Sequence, residues 1–226
     1  MDKHYRKIAA AAFIFVLLII ASMFWLAGRL DYWQGWAFGT GLLLSFVTKT
    51  VVFAGKSDLL NERLRPGPGV KVWDKIFLAV FSITVGAGII WAVLDGGRFH
   101  WTGRLPVLVY IFAYTLLTLS VLLFSWAESE NNWFSIAVRI QKDRAQKVVQ
   151  SGPYKYVRHP GYTAGIIMLI CIPLALGSLW AVIAFGIACI LLLARTYLED
   201  KTLKKELPGY SAYAGKVKYR LLPGIW

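Results

Sequence analysis

The sequence predicts an all-α integral membrane protein of about six transmembrane segments, the last two forming a helical hairpin. Two compositional observations and one positional one predict it. The hydrophobic fraction is 58%, against about 45–50% in an ordinary soluble chain. The apolar residues gather in long runs rather than in the short periodic stretches of a soluble core. Most of the 25 Lys and Arg residues lie before the first run, between alternate runs and after the last, on what would be one side of a bilayer.

Residues 8–26, 36–54, 76–94 and 105–126 are each long enough to cross a hydrocarbon layer of about 30 Å as a helix. Residues 162–193 would overshoot it as one helix. Pro173 and the Leu176-Gly177-Ser178 stretch interrupt that region, so it divides into two helices joined by a tight turn. The first run follows a basic N-terminus, as in a signal peptide. Its length and the lack of a small-x-small cleavage site mark it instead as a retained first helix.

Loop charge tests this division. Lys3, Arg6 and Lys7 precede the first run, and Lys56, Arg63, Arg65, Lys71 and Lys75 follow the second. Arg139, Lys142, Arg144, Lys147, Lys155 and Arg158 follow the fourth, and another basic set follows the last. The opposite side holds only Arg29, Arg98 and Arg104. Both termini are therefore expected in the cytoplasm, facing an anionic inner leaflet. Lys49, inside the second run near its cytoplasmic end, is expected to snorkel. A short interfacial helix is expected at residues 59–64, before the Pro66-Gly67-Pro68-Gly69 turn. The net charge of +13 could serve nucleic acid or lipid, and the apolar runs decide for lipid. Cys171 and Cys189 have no metal-ligand spacing and read as small core residues, so no metal site is expected.

The chain divides into four N-terminal spans (1–126) and a second half (127–226) that holds the chemistry. Residues 127–161 and 195–226 flank the final helix pair and must meet at one membrane face. In the first of these, Gly152-Pro153 favours a turn, and Pro160 suits the first turn of a helix. Tyr154, Tyr156 and Tyr162 offer rings that can face a flat base or a sulfonium. In the second, Arg195 and Glu199 share one helical face at the membrane end of the last span. Residue chemistry alone leaves two plain readings open, an interfacial loop with anchoring tyrosines and a surface i, i+4 ion pair.

The run Ser151-Gly152-Pro153-Tyr154-x-x-x-Arg158-His159-Pro160-x-Tyr162-x-x-Gly165 resembles the signature of the isoprenylcysteine carboxyl methyltransferase family and its phospholipid methyltransferase relatives. Its second half is similar too: Arg195-x-x-x-Glu199-Asp200-x-x-Leu203, then Tyr210-x-x-Tyr213, ending near Pro223. The resemblance runs from about Asn131 to Pro223. It implies S-adenosylmethionine as methyl donor, bound at the cytoplasmic face without a Rossmann domain. It further implies a donor site at Gln141, Gln146, Lys147, Val148, Val149, Tyr154, His159, Pro160, Gly161, Tyr162 and Glu199. Arg195 would face the acceptor, which is lipid-like or a prenylated, thiol or carboxylate compound. Arg195 and Glu199 are the expected catalytic pair, and a bacterial or archaeal inner membrane the expected location. The family's usual acidic pair is Glu-Glu, here Glu199-Asp200, which leaves the role of the shorter acid open. A membrane NADPH-dependent reductase of sterol or isoprenoid double bonds shares a similar Arg-His-Pro-x-Tyr-x-Gly pattern. Those enzymes carry Asn and Glu where this chain has Gly161 and Ile166.

Overall fold

The computed structural model describes residues 3–52, 63 and 69–226, and among these residues every regular element is a helix. In chain order they are α1 (Lys3–Ala27), α2 (Trp33–Val52), α3 (Val72–Val93), α4 (Val107–Glu130), α5 (Pro160–Ala175), α6 (Val182–Glu206) and α7 (Tyr210–Lys216). A π-helical turn, Leu94–Phe99, continues α3, and 3-10 turns occupy Lys142–Arg144 and Gly152–Lys155. The interfacial helix expected at residues 59–64, with Lys56 and Arg65, falls outside the described residues apart from Arg63.

Among the described residues four helical stretches are long and apolar enough to cross a membrane: Tyr5–Ala27, Val72–Phe99, Val107–Glu130 and Val182–Glu206. They carry large apolar side chains on their outer faces, such as Phe15, Ile83, Leu108 and Ile190. In water such surfaces would collapse or aggregate, and in lipid they are solvated. The other two expected segments are helices of different character. α2 carries Gln34, Thr40, Thr48 and Lys49 among its apolar residues. α5 has 16 residues, about 24 Å at 1.5 Å per residue, short of a full hydrocarbon crossing. α6, in contrast, runs on to Glu206, well past the expected end of its apolar stretch.

The break between α5 and α6 is local chemistry. Pro173 is accommodated in the last full turn of α5, which ends two residues later. Gly177 then takes φ +80, and the backbone N–H groups of Gly177 and Ser178 turn back to the carbonyls of Leu174 and Pro173. That region of φ favours glycine. The Ser178 hydroxyl donates to Asp95 at 2.6 Å and accepts from the Ala181 N–H at 3.0 Å, opening α6. Asp95, fully buried in the π-helical turn, also accepts from the Thr102 N–H and hydroxyl at 2.8 and 2.5 Å. One carboxylate thus joins the end of α3 to the α5–α6 connection.

Close approach at this joint depends on Gly96. A Cβ there would stand 2.1 Å from the Leu176 carbonyl oxygen, a backbone atom that cannot rotate away. Gly96→Ala is expected to cost on the order of 2 kcal/mol, the scale of an overpacked core. Gly86→Ala, where an added methyl meets nothing within 4 Å, should be neutral or slightly stabilising. Thermal unfolding of both variants in detergent micelles checks the contrast.

Met23, Phe24, Phe77, Val93, Leu169, Phe185 and Leu192 form the largest buried apolar cluster, shared by α1, α3, α5 and α6. Cys171 is buried in a second cluster with Ala113 and Ala175 between α4 and α5. A third, of Leu207, Tyr210 and Tyr213, packs against Ile140 and Val148. It brings residues 207–217 over the loop between α4 and α5, so the two polar stretches of the second half meet.

Candidate functional site

Between α3, α4, α5 and α6, under residues 131–149, lies a cavity of about 500 Å³, within the usual range for small-molecule sites. α3 and α4 contribute apolar lining through Leu78, Phe81 and Phe124. The loops and α6 contribute Gln141, Gln146, Lys147, Arg158, His159 and Glu199.

Tyr154 is positioned from its own loop outward. Gly152 takes φ +55, and a Cβ there would lie 2.5 Å from Glu130 Cγ, so glycine lets the turn close on the end of α4. The Tyr154 hydroxyl donates to the Ala127 carbonyl at 3.3 Å and accepts from Asn131 Nδ2 at 3.2 Å. Tyr213 donates to the Tyr154 carbonyl at 2.7 Å. Burial pushes the Tyr154 phenol up to about 12, so it stays protonated through the neutral range.

His159 ends this loop, and Pro160 occupies the first position of α5. The imidazole stacks on Tyr162, with centroids 5.6 Å apart and planes 10° from parallel. The Tyr162 hydroxyl donates in turn to the Glu199 carboxylate. Gly161 admits the Phe134 ring, whose edge lies 3.1 Å from where a Cβ would stand. Two sequence-distant motifs thus face one space through a tyrosine and a carboxylate.

Arg195 and Glu199 do not form the i, i+4 pair that their spacing allows. Arg195 Nε lies 2.9 Å from Asp74 Oδ1, and Nη2 donates to Asp74 Oδ2 at 3.3 Å and to the Ile136 carbonyl at 2.6 Å. Its guanidinium lies between the Phe77 and Tyr162 rings, 4.8 and 5.5 Å from their centroids. Among the described residues Nη1 has no acceptor, and it is the nitrogen left to meet a ligand.

Asp200, whose part the motif left open, is a hub. Fully buried, it accepts from Arg158 Nε and Nη2 at 2.7 and 3.1 Å, from Tyr210 at 3.0 Å and from Arg220 at 3.1 Å. Lys204 Nζ and His159 Nε2 stand 3.3 and 3.4 Å away. Burial and the adjoining Asp200 carboxylate push the Tyr210 phenol well above its ordinary value. The chain beyond α7 completes the clasp. The Arg158 and His159 N–H groups donate to the carbonyls of Tyr219 and Arg220 at 3.0 and 2.9 Å, and Thr163 donates to that of Leu221 at 2.8 Å.

Of the residues expected to hold a donor, Gln141, Gln146, Lys147, Val148, Val149, Tyr154, His159, Gly161, Tyr162 and Glu199 line the cavity, as does Arg195. Pro160 does not: it is buried and opens α5 instead. The Gln141 amide is largely committed to its own loop, donating to the Trp133 carbonyl and accepting from Arg144, each at 2.7 Å. Gln146 Oε1 likewise accepts the Gln141 N–H at 2.8 Å. Sequence reasoning missed Asp74, Asn131, Phe134, Tyr210 and Tyr213. The two tyrosines stood in the recognised motif without a role. Asp74 left a fainter trace, an acid at the mouth of an apolar run with nothing to say what it meets.

Residues 107–205 match the model of the isoprenylcysteine carboxyl methyltransferase (ICMT) family. That stretch holds α4, the loop beneath which the cavity lies, α5 and nearly all of α6. No curated protein matches the chain.

Proposed function

We propose, from the match of residues 107–205 to the isoprenylcysteine carboxyl methyltransferase family, that the chain is a membrane methyltransferase using S-adenosylmethionine on a lipid-like acceptor. The observation that carries the reading is the meeting of both motifs, from Tyr154 to Tyr162 and from Arg195 to Glu199, on one cavity with apolar walls. The donor site lies at the cytoplasmic face, with both termini on that side, six membrane segments and α5–α6 as a hairpin. The basic loops support this arrangement by their bias to one side.

The lining fits such a donor. Glu199 makes no ion pair within 4 Å among the described residues and offers a carboxylate. The stacked His159 and Tyr162 rings offer faces. Val148 and Val149 offer apolar contact. When bound, the donor supplies an electrophilic methyl group for in-line displacement. The residues of the chain then hold and align. Glu199 and Gln146 bind the donor's polar end, the rings and valines pack its flat part, and Arg195 Nη1 orients an oxygen of the acceptor. An acceptor that is already a carboxylate or thiolate needs no strong general base. The apolar walls from α3, α4 and Phe134 take the acceptor's hydrocarbon and keep water out.

The test is direct. Protein purified in micelles should bind S-adenosylhomocysteine by calorimetry and move a labelled methyl group from the donor into an organic extract of membranes. Binding of NADPH instead, with no affinity for the homocysteine compound, would replace this reading with the reductase.

A further inference from the structure

The arginines that line the cavity share a pattern. Arg139, Arg158 and Arg195 each face the space, and each is matched from behind by an aspartate outside the lining. Arg139 Nη1 lies 2.9 Å from Asp143, Arg158 Nε 2.7 Å from Asp200, and Arg195 Nε 2.9 Å from Asp74. Lys147 and Glu199 are the remaining charged groups of the lining. The three aspartates are not equivalent. Asp143 is half exposed, so water screens it. Asp200 is a hub for several cations, whereas Asp74 is fully buried and, among the described residues, meets one, Arg195.

Asp74 also lies outside the family-matched stretch, in the first turn of α3. Its Oδ2 accepts the Val138 N–H at 2.6 Å, and the neighbouring Lys71 N–H donates to the Val138 carbonyl at 3.2 Å. α3 thereby delivers a carboxylate to the one arginine placed, one helical turn from Glu199, at the acceptor side of the donor.

We propose that Asp74 is a positioning and charge-compensating residue that lets a sulfonium bind beside Arg195. The proposal rests on the donor reading given above. A methyl donor of this class carries a positive sulfur, which must face the acceptor and so the Arg195 side of the cavity. Its spent form is a neutral thioether. An uncompensated guanidinium would therefore penalise the charged donor and leave the spent form unaffected. With Asp74 in place, the pair is neutral and still presents a directional N–H donor. In a cavity roughly 10 Å across, at an effective dielectric near 20, one unmatched charge shifts the affinity for a second by roughly tenfold.

Calorimetry with S-adenosylmethionine and S-adenosylhomocysteine needs no knowledge of the acceptor. In the unaltered protein the two dissociation constants should agree within about threefold. A tenfold or greater preference for the thioether overturns the proposal whatever the variants do. Asp74→Asn should weaken the sulfonium compound about tenfold and leave the thioether within about twofold. Asp74→Glu should recover the original ratio, as should Asp74→Asn combined with Arg195→Met, which removes both charges. Equal weakening of both ligands in Asp74→Asn, or an unchanged ratio, reduces Asp74 to a structural tie and overturns the proposal. An unaltered protein that binds neither ligand refutes the methyl-donor reading itself, a failure seen before any variant is made.

Discussion

Asp200→Ala is expected to release the polar cap from the membrane helices. The carboxylate is 1% exposed and satisfies Arg158, whose own side chain is 3% exposed, along with Arg220 and Tyr210. Replacing such a pair whole by apolar residues can be neutral, but removing one partner strands the other as a buried charge, at about 3–5 kcal/mol. The loss falls on contacts that join three separate stretches: the loop before α5, the end of α6, and the chain from α7 onward. Limited proteolysis in micelles should therefore cut between residues 207 and 226 while α1 to α5 remain protected, and affinity for S-adenosylhomocysteine should vanish. Lys204→Ala removes a partner that is 41% exposed and should change stability by no more than about 0.5 kcal/mol. Equal behaviour of the two variants would show that Asp200 is not the tie.

Glu199→Ala is expected to lower affinity for S-adenosylhomocysteine roughly 10- to 100-fold, the range of a lost charge-assisted hydrogen bond. The fold should survive. Glu199 is partly exposed, has no ion-pair partner among the described residues, and contributes one hydrogen bond, from Tyr162. Glu199→Gln keeps the length and an acceptor for Tyr162 but loses the charge, so it separates shape from electrostatics. Calorimetry decides the assignment, and undiminished affinity in Glu199→Ala would remove this residue from the donor site. The two neighbouring acids thus have opposite expected signatures: loss of Asp200 costs stability first, and loss of Glu199 costs binding with little change in melting temperature.

That opposition marks where the sequence stopped being informative. The apolar runs announced the helices because lipid demands length and hydrophobicity, which composition records directly. α2 and α5 carry a weaker signal for the same reason: polar Gln34 and Lys49 in the one, and Pro160 and Gly177 bounding the other, dilute or shorten it. Tyr154, His159, Tyr162 and Glu199 could be named because they stand in two ordered motifs. Their mutual geometry could not, since the Tyr162–Glu199 contact spans 37 positions. The spacing of Arg195 and Glu199 suggested an ion pair, and the fold gave each a different partner. Asp74 lies 121 positions before Arg195, and no local pattern links an acid in the first turn of a helix to an arginine so distant. Asp95 was silent in the same way, because the Ser178 it serves lies 83 positions further along the chain.

The backbone pairing of Arg158 and His159 with Tyr219 and Arg220 has a consequence in time. During synthesis α1 to α6 leave the ribosome before residues 219 and 220 have been translated. The histidine loop must wait, solvated, until some sixty further residues emerge. The order of that loop is therefore set late in synthesis. A nascent chain halted just after α6 would lack the backbone pairing that holds the Arg158–His159 loop in place.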